Sequence, residues 1–161
     1  MTTLTMRYVL YLAMFASAGA LITALIAQYG FGLRPCILCS YQRIPYVAVL
    51  VFGLLTLIIG KSERRVVGLL LGSMFLVGAA LAFYHYGVEQ YWWETFTSCD
   101  SAGALPMSVQ DLKLALNDGP MPRACDDIGW SLFDVSITVY NTIYSLALAA
   151  ACFWSARSTH G

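Results

Sequence analysis

Four long apolar stretches, separated by polar connections, dominate the sequence. A helix needs about 20 mostly apolar residues to cross the hydrocarbon core of a bilayer. Each stretch has this length and carries at most one charged side chain. Backbone polar groups in lipid must be satisfied within the segment, which favours helices. The sequence therefore predicts one all-α membrane domain over residues 1–161, a bundle of four transmembrane helices at residues 8–29, 41–60, 66–86 and 130–154.

The composition agrees with a surface that faces lipid. The chain is 59% hydrophobic and 11% charged, whereas soluble domains carry about 25% charged residues. Its net charge is zero, which leaves no basic surface for phosphate groups, so we expect no nucleic-acid partner. Tyrosine and tryptophan gather at the ends of the stretches, as in the aromatic belts of membrane proteins.

Basic residues predict the orientation of the bundle. Residues 61–65, between the second and third stretches, include three basic residues, and Arg7 and Arg157 lie near the two termini. Basic residues favour the cytoplasmic side of a membrane. We therefore expect both termini in the cytoplasm, and two loops, residues 30–40 and 87–129, on the opposite side.

The longer loop is predicted to contain a short amphipathic helix at residues 107–117. Ser108 followed by Asp111 resembles a capping box. Apolar residues recur at helical spacing on one face: Val109, Leu112, Ala115 and Leu116. We expect this helix to lie on the membrane surface; the alternative is a helix of a soluble loop that covers the bundle.

Four of the five cysteines fall in the two loops predicted to lie outside the cytoplasm: Cys36, Cys39, Cys99 and Cys125. Disulfides persist in oxidising compartments, so these four are candidates for disulfide chemistry. Cys152 lies deep in the fourth stretch, and we interpret it as a small apolar packing residue.

Cys36 and Cys39 form a Cys-x-x-Cys pair where the second helix starts. A helix N-terminus stabilises a thiolate, which is the reactive form of cysteine. Arg43 follows Cys39 by four residues, one helical turn, so its guanidinium would stabilise that thiolate; the alternative is that Arg43 reaches the lipid head groups. Pro45 removes a helical donor and is expected to bend the helix just below the pair.

Cys99 and Cys125 enclose 25 residues of the long loop. Parity favours a bond between them, and that bond could be a structural disulfide or one that exchanges with the first pair. Zinc is a third interpretation, with His85 and these cysteines as ligands. Only one of the pairs has the short spacing typical of zinc sites, so we expect no metal.

The pattern of these residues resembles the DsbB family of membrane disulfide-generating oxidoreductases over nearly the whole chain. The family's Cys-x-x-Cys-x-x-x-Arg pattern stands here as Cys36, Cys39 and Arg43, and its loop pair as Cys99 and Cys125. Supporting likeness is found at the end of the third stretch and at the start of the fourth: YHYGVEQ at residues 84–90, then CDD at 125–127, Trp130, and YN at 140–141.

The resemblance implies a bacterial inner-membrane protein whose loops lie in the periplasm. The Cys99–Cys125 disulfide would oxidise a periplasmic thioredoxin-fold partner of the DsbA type, and Cys36–Cys39 would then reoxidise that loop pair. Electrons would leave to a membrane quinone, ubiquinone or menaquinone.

The resemblance also implies a quinone site near the first cysteine pair. Cys39 would contact the quinone with the assistance of Arg43. His85 is expected near the quinone ring, and Ile137 in the apolar wall of its site.

Two other kinds of protein are alternatives. An enzyme of the vitamin K epoxide reductase type also combines a membrane bundle, a Cys-x-x-Cys pair and a quinone; Arg43 and the single long loop after the third helix favour the DsbB interpretation. A membrane scaffold or metal carrier with structural disulfides would keep its cysteines locked and bind no quinone.

Overall fold

The computed structural model describes residues 2–60, 63–95 and 124–157. Four segments of these are long and apolar enough to cross a membrane: Arg7–Gly30, Ile37–Ile59, Arg65–Glu89 and Ile137–Arg157. The prediction of four membrane-spanning helices is therefore confirmed. The elements in chain order are α1 (Thr2–Leu25), a π-helical turn (Ile26–Gly30), α2 (Ile37–Tyr41), α3 (Arg43–Ile59), α4 (Arg64–Glu89), β1 (Ser131–Leu132), β2 (Val135–Ser136) and α5 (Ile137–Arg157).

Large apolar side chains cover the outside of the bundle. Phe15 is 80% exposed, Ile58 72% and Trp154 78%. Extended apolar patches are rare on soluble monomers, because water solvates them poorly. A hydrocarbon solvent removes that penalty, so this surface suits a bundle surrounded by lipid.

The interior packs apolar residues from all four spans. Leu10 of α1, Val49 of α3, and Leu71 and Phe75 of α4 are buried in one core cluster. Cys152 of α5 is buried in the same cluster at 3% exposure. Its predicted role as a packing residue is therefore confirmed.

Gly68 allows α4 and α5 to approach closely, and we expect Gly68→Ala to destabilise the bundle. An added Cβ would lie 2.9 Å from the Ala156 Cβ and 3.0 Å from the Cys152 carbonyl oxygen. Overpacking of this kind costs about 1–3 kcal/mol, against a helix-propensity gain of up to about 1 kcal/mol. Thermal unfolding in detergent, followed by circular dichroism, should show a lower midpoint.

The matched control is Gly19→Ala on α1. A Cβ there meets nothing within 4 Å, so the unfolding midpoint should stay unchanged or rise. Equal midpoints for the Gly68 and Gly19 variants would contradict the close packing of α4 against α5.

The second membrane span is interrupted near its start. α2 ends at Tyr41 and α3 begins at Arg43, with Gln42 between them. Pro45 cannot donate a hydrogen bond to the Tyr41 carbonyl, and its ring crowds that carbonyl. The bend expected below the cysteine pair thus takes the form of a break, and the Gln42 side chain is buried there at 7% exposure.

The fourth helix begins at Ile137, later than the predicted start at residue 130. The preceding residues form the β1–β2 hairpin, whose turn residues Phe133 and Asp134 have φ values of 52° and 60°. Such values suit a tight hairpin turn and exclude a right-handed helix. Ser136 then caps α5, because its hydroxyl accepts a hydrogen bond from the Thr138 amide at 3.3 Å.

The third helix extends to Glu89, one turn beyond the predicted end at residue 86. This extra turn adds an acidic side chain to the end of the span. The amphipathic helix predicted at residues 107–117, and Cys99, lie outside the described residues.

Candidate functional site

Cys36 and Cys39 lie at the N-terminus of α2, as their spacing predicted. Cys36 is the N-cap residue, and its sulfur accepts a hydrogen bond from the Cys39 amide at 3.2 Å. Both residues are thiols, and the Cys36 Sγ donates to the Cys39 Sγ over 3.1 Å. Cys36 is buried and Cys39 half-buried.

His85 of α4 packs against this pair from across the bundle. Its ring is 2% exposed, and its Nε2 lies 3.5 Å from the Cys36 Sγ. The Gln42 Nε2 lies 2.7 Å from the His85 Nδ1. With Gln42 as the donor, the ring proton sits on Nε2, where it faces the Cys36 sulfur.

A chain of polar side chains continues from Gln42 into the bundle. Asn141 of α5 donates to the Gln42 Oε1, and the Tyr46 hydroxyl donates to the Asn141 Oδ1 at 2.6 Å. Ser145 lies 2.9 Å from the same hydroxyl. Polar groups within a membrane span are costly unless they are paired. Each group of this chain is paired, and together they hold the Gln42 amide against His85.

Glu89 adds a carboxylate to the site. It follows His85 by one helical turn and is 5% exposed, and its Oε1 lies 3.9 Å from the His85 Nε2. Its Oε2 accepts a hydrogen bond from the Thr138 hydroxyl at 2.8 Å. The sequence analysis assigned no role to Glu89, Gln42 or Asn141. Gln42 and Asn141 are polar side chains in otherwise apolar spans, and Glu89 and Asn141 lie in the stretches that resemble the DsbB family.

Cys125 is brought to the same end of the bundle. It is 0% exposed and shares a buried cluster with Cys36, Leu38 and Val88. One cysteine of the predicted loop pair therefore packs at the Cys-x-x-Cys site, while Cys99 is outside the described residues.

Arg43 lies at the first turn of α3 and points toward the π-helical turn that follows α1. Its Nη1 donates to the Gln28 Oε1 at 2.7 Å, and both side chains are half-buried. Ile137, the first residue of α5, is 39% exposed. The Gln42 backbone stays in the right-handed helical region (φ −65°, ψ −16°), so α2 and α3 form one membrane span, Ile37–Ile59, that carries both Cys39 and Arg43.

Comparison with known proteins gives the family. A family model described as "Disulfide bond formation protein DsbB" matches residues 6–155. The chain belongs to the DsbB family. Disulfide bond formation protein B of Histophilus somni is 32% identical over 139 residues, 83% of this chain and 77% of that protein. The protein of the same name from Stutzerimonas stutzeri is 27% identical over 160 residues, 92% and 93% of the two chains.

A further relative is an uncharacterised protein of Rickettsia prowazekii, 31% identical over 131 residues, 80% of this chain and 75% of that protein. No solved structure matches the chain. Membership of the DsbB family, together with the four apolar spans, makes the chain a multi-pass membrane protein of disulfide bond formation with a disulfide oxidoreductase role. The family match also favours DsbB over the vitamin K epoxide reductase type.

The surroundings of Cys36 in this DsbB-family site oppose its ionisation. The hydrogen bond to Cys39, together with burial, raises the pKa of the Cys36 thiol to about 12, and the nearby His85 ring offsets only part of the rise. Because the thiolate is the nucleophile, reduced Cys36 keeps its proton at neutral pH and reacts slowly.

Replacing Cys39 with alanine should lower the pKa of Cys36 by removing the largest cause of its elevation. A raised pKa keeps the thiol protonated until the pH rises through it, and each unit of decrease gives about tenfold more thiolate at neutral pH. N-ethylmaleimide should therefore label Cys36 faster in reduced Cys39→Ala than in reduced wild type at pH 8, as quantified by peptide fragmentation. Labelling of Cys152 should stay slow in both proteins; an unchanged rate at Cys36 would contradict the role of the sulfur–sulfur hydrogen bond.

Proposed function

We propose that this DsbB-family protein reoxidises a periplasmic dithiol oxidase of the DsbA type by disulfide exchange and passes the electrons to a membrane quinone, ubiquinone or menaquinone. It would act as a protein-disulfide:quinone oxidoreductase that generates disulfides de novo. One observation carries this proposal: Cys125, from the long loop, is buried in one cluster with Cys36, beside His85. A purely structural disulfide has no need to reach a second thiol pair.

The first exchange would take place between the partner and the loop pair. A partner thiolate attacks the Cys99–Cys125 disulfide and forms a mixed disulfide, which the second partner thiolate then breaks. The partner leaves with a disulfide, and Cys99 and Cys125 are left as thiols. A DsbA-type partner is itself a strong oxidant, so its reoxidation requires an acceptor that draws the electrons onward.

The second exchange would move the electrons to the Cys-x-x-Cys pair. A Cys125 thiolate attacks the sulfur of Cys36 in the Cys36–Cys39 disulfide, and Cys39 leaves as a thiolate. Attack by Cys99 on Cys125 then restores the loop disulfide and releases Cys36. The His85 Nε2, 3.5 Å from the Cys36 sulfur, can donate a hydrogen bond to that sulfur as it is released as a thiolate.

The residues that the resemblance implies suit a quinone, which when bound would supply an acceptor for two electrons and two protons. Cys39 is half-buried and not enclosed. The Arg43 guanidinium offers positive charge and hydrogen-bond donors to an oxygen that gains negative charge. Ile137 is exposed on a membrane-spanning helix and offers an apolar wall. We propose Cys39, Arg43, His85 and Ile137 as the residues that would hold the quinone.

The contacts between helix ends support a common side for both loops. The start of α2 meets the end of α4 through Cys36 and His85, and the end of α4 meets the start of α5 through Glu89 and Thr138. The loops that join these ends therefore open on one face of the bundle. We propose that this face is periplasmic, that both termini are cytoplasmic, and that the protein resides in the bacterial inner membrane.

Substitution of Cys99 tests the two-pair relay. In Cys99→Ala, a reduced DsbA-type partner should no longer drive quinone reduction, because the loop disulfide cannot form. A small dithiol such as dithiothreitol reduces Cys36–Cys39 directly and should still drive it. Quinone absorbance measures both rates in purified protein. Full turnover with the protein partner in this variant would refute the role of the loop pair.

A further inference from the structure

Three metal-ligating side chains converge in the reduced site. One ligand atom from each of Cys36, Cys39 and His85 lies within 4.8 Å of the other two. Thiolate sulfur with imidazole nitrogen is a donor set that suits zinc, whose Zn–S and Zn–N bonds are about 2.3 and 2.0–2.1 Å. At tetrahedral angles these bonds place the two sulfurs about 3.8 Å apart, and each sulfur about 3.6 Å from the nitrogen.

The observed distances are near this geometry. The two sulfurs are 3.1 Å apart and the His85 Nε2 is 3.5 Å from the Cys36 sulfur, so insertion of an ion needs the sulfurs to separate by only a fraction of an ångström. Glu89 lies beside these atoms, with its Oε1 3.9 Å from the same ring nitrogen, but its carboxylate is not within 4.8 Å of both sulfurs, so water would take the fourth position of a tetrahedral ion. The Glu89 Oε2 is held by the Thr138 hydroxyl, which leaves Oε1 turned toward the site.

The polar chain behind His85 can support a metal-bound ring. A histidine that binds metal through Nε2 carries its proton on Nδ1 and donates it to an outer partner. Rotation of the Gln42 amide presents its oxygen to Nδ1, which lies 2.7 Å from the amide nitrogen. If the Asn141 amide rotates as well, its oxygen accepts a hydrogen bond from Gln42 and its nitrogen donates to the Tyr46 hydroxyl. That hydroxyl then donates to Ser145. These four polar side chains therefore keep a hydrogen-bond partner in either orientation of the two amides.

We propose that the reduced site binds one zinc-like divalent cation through Cys36, Cys39 and His85, and that this cation blocks the site while it is bound. Binding exchanges two thiol protons for the dication and transfers no electrons. The disulfide form of the pair offers no thiolates and does not bind the ion. Cation binding is independent of the proposed function, whereas inhibition of turnover rests on it.

Cobalt binding tests the site directly, since Co²⁺ bound to thiolate gives a charge-transfer absorption band. The protein is the full chain with Cys99→Ala and Cys125→Ala, purified in detergent and reduced, so that Cys36 and Cys39 are the remaining loop thiols. One equivalent of Co²⁺ should give the band, and Zn²⁺ should displace it. The band should be absent from the oxidised protein, and the further substitution Cys152→Ala should leave it unchanged.

Ligand variants in the same background define the donor set. Loss of an outer-shell partner weakens metal binding by about 10–100-fold, so Gln42→Leu should fall in that range. His85→Phe, which removes a direct ligand, should weaken binding at least as much. Absence of the thiolate band in the reduced protein, or unchanged affinity in His85→Phe, would overturn the proposal.

Inhibition is measured separately in the wild-type protein. Zn²⁺ should stop quinone reduction driven by the reduced partner, and a chelator should restore it. Full turnover with saturating Zn²⁺ would overturn the blocking role. A cobalt band in a protein that never reduces quinone would support the cation site and refute the proposed function. Failure of the cation site can therefore be distinguished from failure of the proposed function.

Discussion

Cys36→Ala is expected to abolish quinone reduction driven by a DsbA-type partner and to leave the bundle folded. Cys36 lies 3.1 Å from the Cys39 sulfur and 3.5 Å from the His85 ring. Without it Cys39 cannot form the disulfide that accepts electrons from the loop pair. The rate, followed as loss of quinone absorbance, should fall to the background measured without protein. Circular dichroism should show unchanged helix content.

Cys152→Ala is the matched control for this loss. Cys152 is buried in the core between α4 and α5, away from the cluster that holds Cys36 and Cys125. The substitution removes one small apolar group and should retain full turnover. Quinone reduction by Cys36→Ala, or its loss in Cys152→Ala, would contradict the assignment of the reactive pair.

Arg43→Leu should weaken the apparent affinity for quinone by about 10–100-fold. A hydrogen bond to a charged group contributes about 1.5–3 kcal/mol, and each 1.4 kcal/mol is about tenfold in affinity. The fold should survive, because Arg43 is half-buried and leucine suits the apolar span. Initial rates at increasing quinone concentration, with the partner held in excess, give the apparent KM.

Arg34→Leu is the control for charge at the same end of the bundle. Arg34 is exposed and precedes the cysteine pair, so its removal should leave the apparent KM for quinone unchanged. Equal effects of the two substitutions would indicate a general electrostatic influence. An unchanged KM in Arg43→Leu would remove Arg43 from the quinone site.

The fold was largely predictable because membrane spans depend on local properties. Length and hydropathy define each span without knowledge of its neighbours, and four spans were found where they were expected. The start of α5 was not predictable in this way. The hairpin before it depends on positive φ values at Phe133 and Asp134. Phe133 matches the apolar residues around it, and the single charge of Asp134 is compatible with the end of a membrane span.

The candidate site was predictable only in part. The spacing of Cys36 and Cys39 identified the reactive pair, and family resemblance pointed to His85. The polar residues around that ring depend on tertiary contacts, which a linear pattern does not contain. Gln42 is 43 residues from its partner His85 and 99 from Asn141. Only the packing of α3, α4 and α5 brings these side chains together.

The most direct test of the relay follows both products in one reaction. Purified wild-type protein is mixed with a reduced DsbA-type partner and excess quinone, and the new disulfide in the partner and the quinol are quantified at successive times. Both are two-electron products, so the account predicts equal molar amounts throughout. Partner disulfide that forms without an equal amount of quinol, or quinol that forms without partner oxidation, would contradict it.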